Sequence, residues 1–286
     1  MEILWFALAV LVVALLLTPL LQRRSLRRRR QRLIRAIEQQ RGSRVVTLIH
    51  RQEMVSLLGI PLTRFITIED AERVLRAIRL TPDEMPVDLV LHTPGGLVLP
   101  SDQIAFALRR HSGRVTVIVP HYAMSGGTLV ALAADEILMD PDAVLGPVDP
   151  QLGSVQRGYY PAASILRALE QPNPNRDDET LILGDMAGKA IVQAREAARD
   201  LMAQGHTEEE AERIATTLSD GRWTHDFPIG LERARDLGLP VREGIPAEVY
   251  DLMSLYPQAA QRRPSVEFIP VPYREPGRPP GRERTG

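Results

Sequence analysis

The residue best placed to do chemistry in this chain is Ser125, inside the octapeptide His121-Tyr122-Ala123-Met124-Ser125-Gly126-Gly127-Thr128. It follows the apolar, β-branched run 114–120 (RVTVIVP) and precedes an alanine- and leucine-rich stretch, 129–134, so the pattern puts it at a strand-to-helix turn. A serine there can act as a nucleophile. Unpaired backbone N–H groups at a helix start can hold a developing oxyanion, and Gly126 lets a substrate carbonyl come close to the backbone. The competing reading is that Ser125 only caps the helix while its glycines pack against the sheet.

A serine nucleophile needs a base. The histidines are His50, His92, His111, His121, His206 and His225, and none lies in the loop 140–151 that follows the serine helix. A Ser-His-Asp arrangement using His92, His121 or His225 stays open. Lysine is the alternative base. Of the 35 Lys plus Arg residues only Lys189 is a lysine, and arginine cannot give up its proton at usable pH. Met186, Ala187, Ala190, Ile191 and Val192 surround it, the pattern expected of an inward helix face that would desolvate the ammonium. The competing reading pairs it with Asp185, four residues earlier, on an exposed helix. For the oxyanion, backbone N–H groups of Gly126 and of Gly95 or Gly96 can converge if the loops 93–96 and 124–127 lie side by side.

These loops need a scaffold, and the chain alternates strand and helix to supply one. Strands are expected at 44–49, 87–92 and 114–120, helices at 68–78 with Thr67 as N-cap, at 101–108, at 179–203 carrying Lys189, and at 207–218. That order implies a parallel sheet with crossover helices, whose functional residues gather at the carboxyl ends of the strands. A chain of 286 residues, 44% hydrophobic and 25% charged, suits one sizeable core with appendages. The absence of cysteine excludes disulfides, thiolate catalysis and thiolate-bound zinc, and a net charge of -1 argues against a nucleic-acid partner.

Residues 3–21 (ILWFALAVLVVALLLTPLL) form an apolar run close to the roughly 20 residues that cross a bilayer. Arg23, Arg24 and Arg27 through Arg30 follow, so the flanks are those of an uncleaved anchor with its N-terminus outside and the rest cytoplasmic. The organisation expected is a transmembrane anchor at 1–21, a basic juxtamembrane helix at 22–43, a catalytic domain at 44–256 and a disordered Pro/Arg-rich tail at 257–286. Leu26, Leu33, Ile34 and Ile37 would form the apolar face of the basic helix, with membrane lipid as the partner of residues 1–40.

An apolar strand ending His92-Thr93-Pro94-Gly95-Gly96, a second ending Ala123-Met124-Ser125-Gly126-Gly127-Thr128, and the loop 140–150 (DPDAVLGPVDP) together resemble the ClpP/crotonase superfamily. Within it, the chain is most similar to the membrane-anchored serine peptidases related to signal peptide peptidase A, in the serine dehydrogenase proteinase branch. The likeness runs over about 44–241 and includes Asp220-Gly221-Arg222-Trp223 and the stretch 234–239. The resemblance implies an α/β fold built as a spiral of ββα units, a homo-oligomer, and hydrolysis of polypeptide substrates by a Ser/Lys dyad without metal, nucleotide or other cofactor. It matches Ser125 to the nucleophile, Lys189 to the general base, and Gly96 and Gly126 to the oxyanion donors. Two other readings share the fold: a crotonase-like acyl-CoA enzyme, and a membrane scaffold without chemistry.

Overall fold

Apolar runs bounded by turn residues become the strands of a parallel sheet. The computed structural model describes residues 2–51, 65–154 and 158–256. Helix α1 (Glu2–Arg41) leads into β1 (Arg44–Ile49), α2 (Ile68–Arg79), β2 (Val87–His92), α3 (Val98–Arg109) and β3 (Val115–Val119). The short strand β4 (Tyr122–Ala123) precedes α4 (Gly126–Leu132), which is followed by β5 (Glu136–Met139), β6 (Val144–Leu145) and the hairpin β7 (Gln151–Ser154) and β8 (Gly158–Pro161). Helices α5 (Ala162–Leu169), α6 (Asp178–Met202) and α7 (Glu208–Ser219), then β9 (Ile229–Gly230), α8 (Leu231–Leu237), β10 (Val241–Glu243) and α9 (Ala247–Ser254) complete the order.

The main sheet runs β1-β2-β3-β5-β10, with every pairing parallel, so the expected α/β architecture is present. A second sheet, β4-β6-β9, stands beyond the carboxyl ends of these strands and carries the chain into α4. Strands β2 and β3 are buried along their whole length, because helices cover both faces. Alternate residues serve the two faces: Leu89, Leu91, Val117 and Val119 join the large core, while Val90 and Ile118 pack on the other side.

Helix starts follow their caps. Thr67 forms a capping box with Asp70 at α2, and Thr207 forms one with Glu210 at α7. Helix α3 begins at Val98, three residues before the expected start, because Pro100 is tolerated in a first turn where its missing N–H has no helical acceptor to serve.

One expectation needs correction. Leu33, Ile34 and Ile37 do not form a lipid-facing surface. They pack on the second face of the sheet against Val90, Ile118, Leu138 and the α9 residues Val249, Leu252 and Met253, with Ile37 0% exposed. Arg30 reaches Leu255 O through Nη2 at 2.6 Å and lies over the Tyr256 ring, and Arg41 forms a two-pronged ion pair with buried Asp88. Side chains with apolar surface choose the protein core over the interface once that core offers matching apolar area. Among the described residues no helix is long and apolar enough to cross a membrane. The expected anchor, 1–21, lies outside the described residues for nearly all of its side chains, and the expected tail, 257–286, lies wholly outside them.

Candidate active site

Ser125 is the N-cap of α4 and sits at φ 51, ψ -119. Among the described residues it is the one non-glycine with positive φ. Such a conformation costs on the order of 1–3 kcal/mol and persists where the surroundings enforce it. Here Met124 N donates to Thr93 O at 3.0 Å, Gly127 N to Met124 O at 2.7 Å, and Leu129 N to Ser125 O at 3.1 Å. The Ser125 hydroxyl makes no capping bond. The capping role that the sequence left open is therefore not filled, and Oγ has no hydrogen-bond partner among the described residues.

The Gly95-Gly96 loop lies against this turn. A Cβ on Gly95 would approach Ser125 Cβ to 2.8 Å, and Gly95 has φ 116, so both space and backbone favour glycine there. A Cβ on Gly96 would fall on the Ile66 backbone, which pairs with Gly96 through a parallel bridge. The two loops thus do sit side by side. Of the three amides expected to serve an oxyanion, that of Gly95 is not free: its N–H donates to Thr93 Oγ1 at 3.2 Å. Gly95 shapes the loop, and the amides of Gly96 and Gly126 are left without an acceptor among the described residues.

Behind the loop runs a chain of polar contacts that the sequence pattern did not reveal. Buried His50 bridges Thr93 Oγ1, at 3.0 Å from Nδ1, and Asp70 Oδ2, at 3.3 Å from Nε2. Thr93 Oγ1 in turn donates to Gly95 O at 3.1 Å. On the other side Thr128 Oγ1 accepts from Gly146 N at 3.0 Å, tying α4 to the loop before β7.

The candidate bases separate clearly. Lys189 does not face inward. Helix α6 turns Gly184, Ala187, Ala198, Leu201 and Met202 to the protein, and the Lys189 side chain is 68% exposed, its Nζ donating to Asp185 Oδ2 at 2.5 Å. One turn further along, Gln193 and Ala194 line the cavity beside Ser125. His92 is buried with neither ring nitrogen bonded, its ring against Tyr122 and edge-on to His121. Burial first, then the charges of Arg51, His121 and His50, push its pKa down to about 3, so it stays neutral and weakly basic. Burial and Arg51 also lower His121.

His225 is different. Its Nδ1 lies 2.6 Å from Oδ1 of Asp149, whose side chain is 2% exposed, and this bond, opposed by burial, raises the imidazole pKa. Asp149 Oδ2 accepts from Gln151 Nε2 at 2.8 Å. Asp149 lines the same cavity as Ser125, Gly96 and Gly126. The sequence raised His225 as a possible base, but its pairing with Asp149 spans 76 positions and carries no local signal.

A serine without a capping bond at a strained strand-to-helix turn, beside two amides without an acceptor among the described residues, is an arrangement compatible with acyl transfer of the serine-hydrolase type. The chain belongs to the ClpP-like SDH-type serine proteinases, whose family model matches residues 1–280. It is 55% identical over 245 residues to uncharacterized protein MJ1495 of Methanocaldococcus jannaschii, covering 86% of this chain and 82% of that one. It is 52% identical over 262 residues to uncharacterized protein MJ0137 of the same organism, covering 91% and 90%. Among solved structures it is similar to an alanine variant of the 1510-N membrane-bound stomatin-specific protease, at 20% identity and TM-score 0.45 over 66% of this chain and 79% of that one. A second variant of that protease, in complex with a substrate peptide, is similar at 22% identity and TM-score 0.43 over 63% and 72%. The chain is a serine peptidase by family, and its substrate class is polypeptide.

Proposed function

We propose that this chain is a membrane-anchored serine endopeptidase that hydrolyses membrane-proximal or unfolded polypeptides through Ser125. The observation that carries this reading is the unengaged Ser125 hydroxyl at φ 51 beside the free amides of Gly96 and Gly126. Ser125 Oγ attacks the scissile carbonyl as its proton passes to a base, and the two amides hold the oxyanion. The C–N bond then breaks, the leaving amine takes the proton, and water resolves the acyl-enzyme by the same route.

The base is Lys189 in a Ser/Lys dyad. Its present bond to Asp185 joins two exposed groups at i,i+4 spacing, a pairing worth only a few tenths of a kcal/mol, so breaking it costs little. A second reading has its own observation: the Asp149–His225 pair on the cavity wall, with Asp149 orienting the imidazole as a triad carboxylate does. The apolar run 3–21 with the arginines after it supports a single-pass anchor, N-terminus outside and the peptidase domain, 44–256, cytoplasmic. Exposed Leu97, Val98 and Leu99 beside the site, with Leu181, Ile182 and Met186 on α6, favour a homo-oligomer, each subunit being a spiral of ββα units.

The test is cleavage of unfolded casein by the full chain in detergent. Ser125→Ala is expected to abolish it. Lys189→Arg keeps the pair with Asp185 but cannot accept a proton, and the dyad predicts a loss of about 100-fold or more, with His225→Gln within a few-fold of wild type. The opposite pattern replaces the dyad with the Asp149–His225 reading, and cleavage surviving Ser125→Ala overturns the site itself.

A further inference from the structure

The cavity beside Ser125 holds about 50 Å³, and its wall combines apolar Val98, Leu129, Val148 and Ala194 with two carboxyl groups. The two differ in how they are satisfied. Asp149 is bonded through both oxygens, to His225 and to Gln151. Asp102, in the first turns of α3, has Oδ1 buried with no hydrogen-bond partner among the described residues. Burial raises its pKa, the signature of a carboxyl short of a counter-charge. Its neighbour Ser101 packs its Oγ where a Gly126 Cβ would stand, so this part of α3 forms the floor next to the oxyanion amide.

A buried polar group without a partner is costly until something supplies one. Among the described residues no cation lines the cavity, and a ligand that carries a donor would complete it. A side chain that passes an alkyl stem along the apolar wall and ends in a charged nitrogen fits both features. We infer that Asp102 determines specificity at this site and that the cavity takes a lysine or arginine side chain on the residue whose carbonyl Ser125 attacks. The inference rests on Ser125 being the nucleophile.

The test compares two peptidyl diphenyl phosphonates on the full chain in detergent, identical except that the residue bearing phosphorus is the lysine analogue in one and the norleucine analogue in the other. They share stem length and differ in charge. The lysine reagent is expected to inactivate the wild type at least about tenfold faster, in line with a hydrogen bond to a charged group. In Asp102→Asn that ratio is expected to fall to within about threefold. The wild-type ratio alone decides the matter even where the variant folds poorly. Equal rates, or a faster norleucine reagent, in protein that an uncharged fluorophosphonate still labels at Ser125 would overturn the specificity and leave the nucleophile standing. Failure of the uncharged reagent to label Ser125 overturns both.

Discussion

The chemistry of this site depends on which polar atoms are already engaged. The N–H groups of Gly96 and Gly126 have no acceptor among the described residues while that of Gly95 serves Thr93, and a Cβ on Gly96 would collide with the Ile66 backbone. Gly96→Ala is therefore expected to lower casein cleavage by about 100-fold or more, the scale of losing one oxyanion donor, with the apparent KM much less affected. His225 supplies a pH prediction with a definite sign. Asp149 raises its folded pKa above the ordinary value near 6.5, so the pair stabilises the fold below about pH 6.5 and that contribution disappears as pH rises through the folded pKa. Urea unfolding should show wild type exceeding His225→Gln by more at pH 5.5 than at pH 8.5, and an equal margin at both would show that the bond to Asp149 is absent in solution. At this scale the sequence was partly legible. The octapeptide pointed to the strand-to-helix turn at which the structure places Ser125, and the i,i+4 spacing of Asp185 and Lys189 held the pairing that the structure contains. The inward turn of Lys189 failed because apolar neighbours in sequence, such as Met186 and Val192, are themselves exposed on α6.

Elements place those residues, and two of them carry predictions. The loop of Gly95 and Gly96 is fixed by the strand end at Thr93, which is held by His50, the residue after β1, and through it by Asp70 of α2. His50→Ala removes the bridge without touching Ser125, and is expected to lower kcat about tenfold with little change in KM, because a misplaced oxyanion loop weakens the transition state more than the ground state. A change confined to KM would contradict that positioning role. Helix α1 contributes a core residue: Ile37→Ala should destabilise the protein by about 2–5 kcal/mol in denaturant unfolding, whereas a lipid-facing Ile37 would give almost no change. Strand and helix order was readable because period and turn residues are local signals. The docking of α1 on the sheet was not, because an amphipathic helix looks the same whether its apolar face meets protein or lipid.

For the whole molecule, the apolar run 3–21 and the arginines that follow make attachment to a bilayer the expected state. The full chain should float with lipid vesicles and resist alkaline carbonate extraction, and deletion of 2–21 should release it. Extraction of the full chain by carbonate would contradict the anchor. Since α1 is continuous from Glu2 to Arg41 and its last turns are built into the core, an anchor at 1–21 would share one helix with the peptidase domain. Every proposed step of peptide hydrolysis passes through Ser125, so the most direct measurement is mass-spectrometric mapping of the full chain after treatment with an uncharged fluorophosphonate. One adduct, on the peptide that contains Ser125 and absent from Ser125→Ala, is the predicted result. An adduct on a different serine, or none in protein that cleaves casein, would contradict it.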